Sequence, residues 1–431
     1  MKSKTPELCV IGGGAAGLAA AVEAARAFRQ AGIPGGVTGL EQPSPGRSAG
    51  ILGKKCVARG TGRCNLTNRR ASPADYFEAV DFVRPAMERF SVDDTLAFFA
   101  SMGLLCEEEE EGRIYPMSRQ AASVLDALRL EAERLGVIVQ CDTQAEDLQS
   151  TAPKGAGPFF RINGALPADA VILACGGKAS PQHGSDGSGY GLLRALHIPV
   201  TEVFPSLVQI TTEPKRVKAL KGMRVHAEIS LSAGRETLAS QRGEIQFTEF
   251  GLSGIAAMQL SRFVSLEKGR RMEAVLDLLP AFSHGQAADY LAGRIRHNPE
   301  LAAEHLLTGL LPKRVGQVLL KQAGIDLLSR PIGSLQKAEI GAVAGLLKGW
   351  RFPATGTRGF SAAQVTIGGA QRAAFQPETM EALSQPGFYA AGEVLDVDAG
   401  CGGFNLQWAW SSGRLAGRSA AQKLIKGQAA G

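Results

Sequence analysis

Long apolar runs are missing from these 431 residues. None approaches the roughly 20 residues needed to cross a bilayer, so no membrane span is expected. The seven cysteines (9, 56, 64, 106, 141, 175 and 401) are odd in number and contain no C-x-x-C pair. That excludes a disulfide framework and a zinc ribbon, and it points to reduced thiols in a cytoplasmic protein. The six histidines show no ligand spacing, and no metal is expected. No basic run is interleaved with aromatics, and the formal charge of +6 is spread along the chain. Nucleic-acid binding therefore has little support, while an anionic cofactor or substrate would use the same surplus. The first strand is expected by about residue 8, which leaves no room for a signal peptide.

The chain does have 53 glycines, an apolar share of 45% and a length suited to two or three domains. The glycines gather at particular turns. Val10-Ile11-Gly12-Gly13-Gly14-Ala15-Ala16-Gly17-Leu18 reads as a buried strand, a glycine turn and the start of a helix. Gly12, Gly14 and Gly17 occupy the three positions of a dinucleotide fingerprint: a tight turn, close backbone approach to a pyrophosphate, and close helix–strand packing. Ala15 and Ala16 then offer backbone N–H groups at a helix N-terminus. An alanine-rich helix to Arg29 precedes a second strand, Val37–Glu41. Glu41 lies 24 residues after Gly17. It is the expected partner of a ribose hydroxyl, against the alternative of a solvated loop carboxylate, and it disfavours a 2′-phosphate.

The segment from Gly53 through Lys54 and Gly60 to Gly62, Arg63, Cys64 and Asn65 combines four cations with glycines. It reads as a loop lining an anionic ligand, or else as a solvated basic loop. Residues 91–104 and 120–136 read as amphipathic helices, with the acidic run Glu107–Glu111 as a solvated turn between them. Val137-Ile138-Val139 and Phe159–Ile162 read as short strands. Ala168–Ala174 is a buried strand ending in Cys175, Gly176 and Gly177. From about residue 199 the pattern changes. Residues 206–212, 224–231, 243–248 and 271–278 alternate as antiparallel strands do, with Gly234 and Gly243 near turns. Residues 284–348 read as helices broken at three X-Pro pairs. The last part returns to glycine turns. Phe388–Ala391 is a strand ending in Gly392 and Glu393, followed by Asp398, Gly402, Gly403, Phe404 and Asn405 and a final helix to Ala421. That helix carries small residues along one face, and its glycine-opened N-terminus could stabilise the negative charge of a reduced flavin ring.

Three of these segments resemble the signatures of flavoproteins with two dinucleotide-binding domains. More narrowly, Gly60–Asn68, Gly184–Tyr190 and Gly392–Asp398 through Asn405–Trp410 resemble the bacterial HI0933-like flavoproteins of the aminoacetone-oxidase or bile-acid-reductase type. The resemblance spans nearly the whole chain. It implies an α/β fold with a Rossmann-like FAD domain built from both chain ends (1–198 and 367–431), an inserted antiparallel β-barrel-like domain (199–281 and 349–366) and a helical subdomain (282–348). It implies FAD held at the pyrophosphate by Gly12, Gly14 and Gly17, with Glu41 on the adenosine ribose. Arg63, Cys64 and Asn65 would run along the cofactor, with Lys54, Gly60, Gly62, Val139 and Cys175–Gly177 as further contacts. Gly392, Glu393 and Asp398 would lie near the ribityl and phosphate portion, and Gly402, Gly403, Phe404 and Asn405 at the isoalloxazine. Two departures bear on single residues: the turn before Glu41 and the link from Ser44 to Ile51 are both longer than the family's pattern.

The expected function is an FAD-dependent oxidoreductase that passes hydride to a small organic substrate through the flavin. NAD(P)H is the expected donor, entering the substrate's own cleft because a second full glycine fingerprint is missing. Cys56 and Cys64, eight apart, do not suit a disulfide-reductase mechanism. No residue declares itself as catalytic acid or base; Tyr115, His183 and Tyr190 read as polar groups in loops, for which structural roles fit at least as well. The competing reading is a non-catalytic flavin-binding sensor or an RNA-associated flavoprotein.

Overall fold

The computed structural model describes residues 5–43, 53, 62–151 and 159–429. It divides into two compact units, one made of residues up to Phe204 and from Gln364 onward, the other of Pro205–Ala363.

The first unit is built on a parallel sheet. Its strands are β1 (Glu7–Ile11), β2 (Gly36–Leu40), β6 (Ile138–Gln140), β7 (Ala170–Leu173) and β8 (Phe388–Ala390), in the order β8-β7-β1-β2-β6. β1 and β7 are almost wholly buried, as apolar strands covered on both faces must be. β6 is the edge strand, and its Ile138 is exposed. Two antiparallel three-stranded sheets are appended. One joins β3 (Thr67–Asn68), β5 (Arg113–Pro116) and β4 (Cys106–Glu108) in that order; the other joins Leu148–Ser150, Phe160–Ile162 and Leu166–Ala168.

Helix α1 (Ala15–Gln30) follows β1, α2 (Gly189–Ala195) follows the glycine-rich loop after β7, and α3 (Phe404–Ala429) closes the unit. The small face read for the final helix is used. Side chains at Gly413 and Gly417 would collide with the carbonyl oxygens of Ala16 and Ala20, so glycine is what lets α3 lie against the backbone of α1. Glu23 of α1 sits in the same seam, paired with Arg414 at 3.0 Å and with Arg418. The Arg414 guanidinium lies 4.2 Å and 4.5 Å from the ring centres of Phe90 and Phe98. Burial of Arg414 lowers its pKa, opposed by the Glu23 charge. This ion pair is nearly dry, so removal of one partner strands the other.

The second unit is a seven-stranded antiparallel sheet, centred on Arg224–Ala233 and Glu236–Phe247, with Phe247, Trp350 and Phe352 clustered in its core. Helices His284–His297, Lys313–Gln322 and Lys337–Lys348 are separated at the three X-Pro pairs read from the sequence. Three features differ from the sequence reading. Gly243 lies within a strand opposite Ala227, and the turn uses Gly234 alone. Residues Ile255–Leu266 form a helix inside the β-rich segment, and Val80–Arg89 form one around Pro85. The acidic run is not a simple turn: Glu107 and Glu108 belong to β4, and Glu107–Glu109 and Glu111 all pair with arginines. Among the described residues no helix is long and apolar enough to cross a membrane.

Candidate functional site

The carboxyl ends of β1, β2, β7 and β8 all open on one cleft with about 980 Å³ of atom-free space, part of it open to solvent. β1 sits where the strand order reverses, and open parallel sheets bind ligands at such a point. Gly12, Gly14, Ala15 and Ala16 line it after β1, Glu41 after β2, Cys175 and Gly176 after β7, and Gly392 and Glu393 after β8. Asn405, Leu406 and Ala409 line it from the start of α3.

The turn after β1 is shaped by what it lacks. Gly12 has φ +108°, and a side chain there would come within 2.6 Å of the Ala174 carbonyl oxygen. A side chain on Gly17 would collide with the Gly12 carbonyl oxygen, so Gly17 lies beneath the turn and lets α1 start close to β1. Gly14 is different. A Cβ there meets no atom of the described residues within 4 Å, although the residue lines the cleft. α1 has Gly14 as its N-cap, with no side-chain cap among the described residues and no acidic residue in its first turn. Its first N–H groups and the positive end of its dipole are therefore available to an anion. Glu41, buried at 9% exposure, accepts a hydrogen bond of 2.6 Å from the Gly13 N–H. That bond holds a carboxylate beside the turn. Glu393 is oriented by Thr366, whose N–H and hydroxyl reach it at 3.1 Å and 3.0 Å. Gly177 lies behind this pair: a side chain there would meet Thr366 and Glu393. Burial pushes the Cys175 thiol up to about 12, with the Asp186 charge adding to it, so the thiol stays protonated at neutral pH.

At the other end, the turn before α3 is stapled by side chains. Asn405 accepts from the Ala399 N–H at 3.1 Å and donates to the carbonyls of Ala399 and Gly400. Asn68 of β3 donates to the Gly402 carbonyl at 2.9 Å, and the Tyr76 hydroxyl donates to that of Phe404 at 2.8 Å. Thr67 donates to Gln407 at 2.6 Å, and Trp410 to the Leu66 carbonyl at 2.9 Å. Trp408 donates to the Gly392 carbonyl at 3.1 Å, which ties α3 to the end of β8. Asn65 is held in this frame with its Oδ1 buried and without a hydrogen-bond partner among the described residues. A Cβ on Gly403 would lie 2.9 Å from that oxygen. A buried acceptor left unsatisfied costs about 1–3 kcal/mol, a cost that a ligand N–H would remove. The empty space over Gly14 and this acceptor by the second glycine turn fit the two ends of a dinucleotide cofactor.

The other expected contacts fall elsewhere. Gly62, Arg63, Cys64, Asp398, Gly402, Gly403 and Phe404 lie around the second turn and do not line the cleft. Val139 is on the edge strand opposite Gly39 and does not line it either. Lys54 and Gly60 lie outside the described residues. The cleft also takes in residues that the motif reading passes over: Gln42, which donates to the Gly184 carbonyl at 2.6 Å, and Thr143–Ala145 after β6. Neither segment carries a glycine signal. His183, Gly184, Ser185 and Ser188 line it from the glycine- and serine-rich loop after β7. Among the described residues no three His, Cys, Asp or Glu side chains are grouped to hold a metal.

Comparison with known proteins agrees with this geometry. The chain is 38% identical over 418 residues to the 3-dehydro-bile acid delta(4,6)-reductase of Clostridium scindens, covering 96% of this chain and 98% of that one. It is 28% identical over 416 residues to the ribosomal RNA dihydrouridine synthase of Haemophilus influenzae, covering 95% and 97%. Among solved structures, the 3-ketosteroid delta1-dehydrogenase of Sterolibacterium denitrificans shares the fold, with a TM-score of 0.50 at 13% identity over 97% of this chain and 100% of that one. With its reductase relative and this fold, the protein is an FAD-dependent oxidoreductase. Residues 6–419 match the family described as HI0933-like protein Rossmann domain, and the chain belongs to that family.

Proposed function

We propose that this oxidoreductase uses FAD, reduced by NADH or NADPH, to saturate a carbon–carbon double bond conjugated to a ketone in a small organic molecule. The observation that carries the reading is the cleft at the strand ends, lined by Gly14 at the first glycine turn and by Glu393 and Asn405 near the second, with the buried Asn65 acceptor beside that second turn. In this reading the N–H groups at the start of α1 take the pyrophosphate and Glu41 the adenosine ribose. Gly392, Glu393 and Asp398 lie near the ribityl portion, and Asn65 and Gly402–Asn405 border the flavin ring. FAD, when bound, supplies hydride transfer; the protein orients the substrate and tunes the ring. The choice of a conjugated ketone follows the Clostridium scindens relative, whose name specifies a 3-dehydro bile acid and delta(4,6) bonds. The same reading assigns 1–198 and 367–431 to the FAD domain, 199–281 and 349–366 to an inserted sheet domain, and 282–348 to a helical subdomain.

The test is anaerobic. The purified protein is expected to be yellow, to release FAD on denaturation, to bleach with NADH or NADPH, and to regain its colour with a 3-oxo-4-ene bile acid. A colourless protein, or a flavin that neither nicotinamide bleaches, counts against the reading.

One observation favours a second substrate class. Residues 205–363 hold 21 lysines and arginines against 13 acidic residues, whereas the rest of the chain holds 26 against 28. The whole cationic surplus is thus in the second unit. Such asymmetry suits a polyanion, and two relatives at 28% identity are named as ribosomal RNA dihydrouridine synthases. Retention of a ribosomal RNA transcript at 150 mM salt, with a steep salt dependence, would favour this alternative.

A further inference from the structure

A reduction of this kind needs a proton as well as a hydride. Cys175 holds its proton too tightly, and Asn65 has no acidic group. The required group must stand near the second glycine turn, carry its proton at neutral pH, be free of a protein acceptor, and reach solvent for reprotonation.

Tyr115 meets these conditions. It is on β5, two residues beyond Arg113, and Arg113 pairs with Asn68, the residue that holds the Gly402 carbonyl. Its neighbours Ile114 and Pro116 point inward and are buried, while Tyr115 faces the other way and is half-buried. Its hydroxyl makes no hydrogen bond among the described residues. The Arg63 guanidinium lies 4.3 Å from its ring centre and is itself held by Glu109. Burial raises the phenol's pKa, Arg113 and Arg63 lower it, and Glu109 and Cys401 raise it, so at neutral pH it is a neutral donor. Glu107 stands opposite on β4 and is paired with Arg119.

We propose that Tyr115 is the catalytic proton donor of the reductive half-reaction, with Arg63 stabilising the tyrosinate that it leaves. The proposal rests on the reading of the protein as an enone-reducing flavoenzyme. The carbon β to the carbonyl takes a hydride from the reduced flavin, and a new C–H bond forms as the C=C π bond breaks. The α carbon takes the Tyr115 proton. The flavin loses two electrons, the double bond gains them, and tyrosinate is reprotonated by water.

The test uses holoenzyme reduced anaerobically with one equivalent of dithionite and mixed with a 3-oxo-4-ene bile acid, followed by flavin absorbance from pH 6 to 9. Tyr115→Phe keeps the ring under Arg63, so the fold and FAD content are expected to be unchanged. Its enone-driven reoxidation is expected to be at least about 100-fold slower, while reoxidation by oxygen stays within about twofold. The wild-type rate is expected to be flat across this range, and the variant rate to rise as pH falls, because hydronium replaces the missing phenol. A merely structural role would slow the step without creating acid dependence. Met117→Ala, an exposed position in the turn just after β5, is expected to match wild type. A Tyr115→Phe enzyme as fast as wild type, or slower with a flat pH profile, overturns the assignment. If wild type itself contains no FAD or is not reoxidised by the enone, the functional reading fails, and this proposal fails with it.

Discussion

The protein has two glycine turns that open helices, Gly12–Gly14 before α1 and Gly400–Gly403 before α3, and they are built in different ways. The first is shaped mainly by backbone contacts: Gly12 and Gly17 let strand, turn and helix touch, and the Glu41 carboxylate takes the Gly13 N–H. The second is held by side chains from distant positions, with Asn68, Tyr76 and Thr67 reaching it across more than 300 residues. A turn made of local backbone tolerates change only where nothing packs. A turn held by several hydrogen bonds loses them one at a time. The two helices then share one seam, so damage at the seam reaches both turns.

That contrast orders the expected effects. The largest is at the seam. Gly413→Val would force a branched side chain into the Ala16 backbone, and loss of at least about 3 kcal/mol is expected, read as a colourless protein with a collapsed thermal transition. Glu23→Gln should follow, at about 3 kcal/mol in urea unfolding, because it leaves the Arg414 charge buried. If either variant melted like wild type, the two helices would not be the shared support described. Asn68→Ala is expected to cost about 1–2 kcal/mol and to shift the flavin absorption bands while FAD remains bound, since only one staple is lost. Gly14→Val should change stability by no more than about 1 kcal/mol yet abolish FAD binding, because its side chain enters only the cleft. A yellow Gly14→Val protein with full FAD content would break the comparison at its first turn. The smallest effect is at Cys175. Its protonated thiol should react with iodoacetamide at pH 7.5 far more slowly than an ordinary thiol, and its rate should keep rising about tenfold per pH unit through pH 9, where an ordinary thiol levels off.

The first turn was legible because its determinants are adjacent: an apolar strand, three spaced glycines, an alanine-rich helix and Glu41. The buried strands at Ala170–Leu173 and Phe388–Ala390 were legible for the same reason, being short apolar runs that end in glycine. The second turn was legible only in part. Its glycines and Asn405 stand out, but nothing local marks Asn68, Tyr76 or Gln407 as the residues that hold it. Pro85 hides the helix Val80–Arg89 by interrupting its pattern, and Ile255–Leu266 is amphipathic within a run of strands. The acidic run reads as a turn because its arginine partners, Arg63, Arg69 and Arg119, are brought to it only by the fold. Tyr115 reads in the sequence as a polar loop group; it lies on β5 instead, and gains meaning from Arg63 above it and the turn beside it.

The seam between α1 and α3 also sets an order of biosynthesis. Residues 205–363 are contiguous and can be completed while the ribosome is still at work. The first unit cannot. Until residues 404–429 emerge, the small face of α1 has nothing to lie against, and the sheet still lacks β8 until shortly before. During that interval the nascent chain carries a finished second unit and an unfinished first one, and the FAD cleft is complete only once residues 404–429 have emerged. Chaperone demand should therefore fall on the part of the first unit that precedes Pro205, made before the second unit and closed after it.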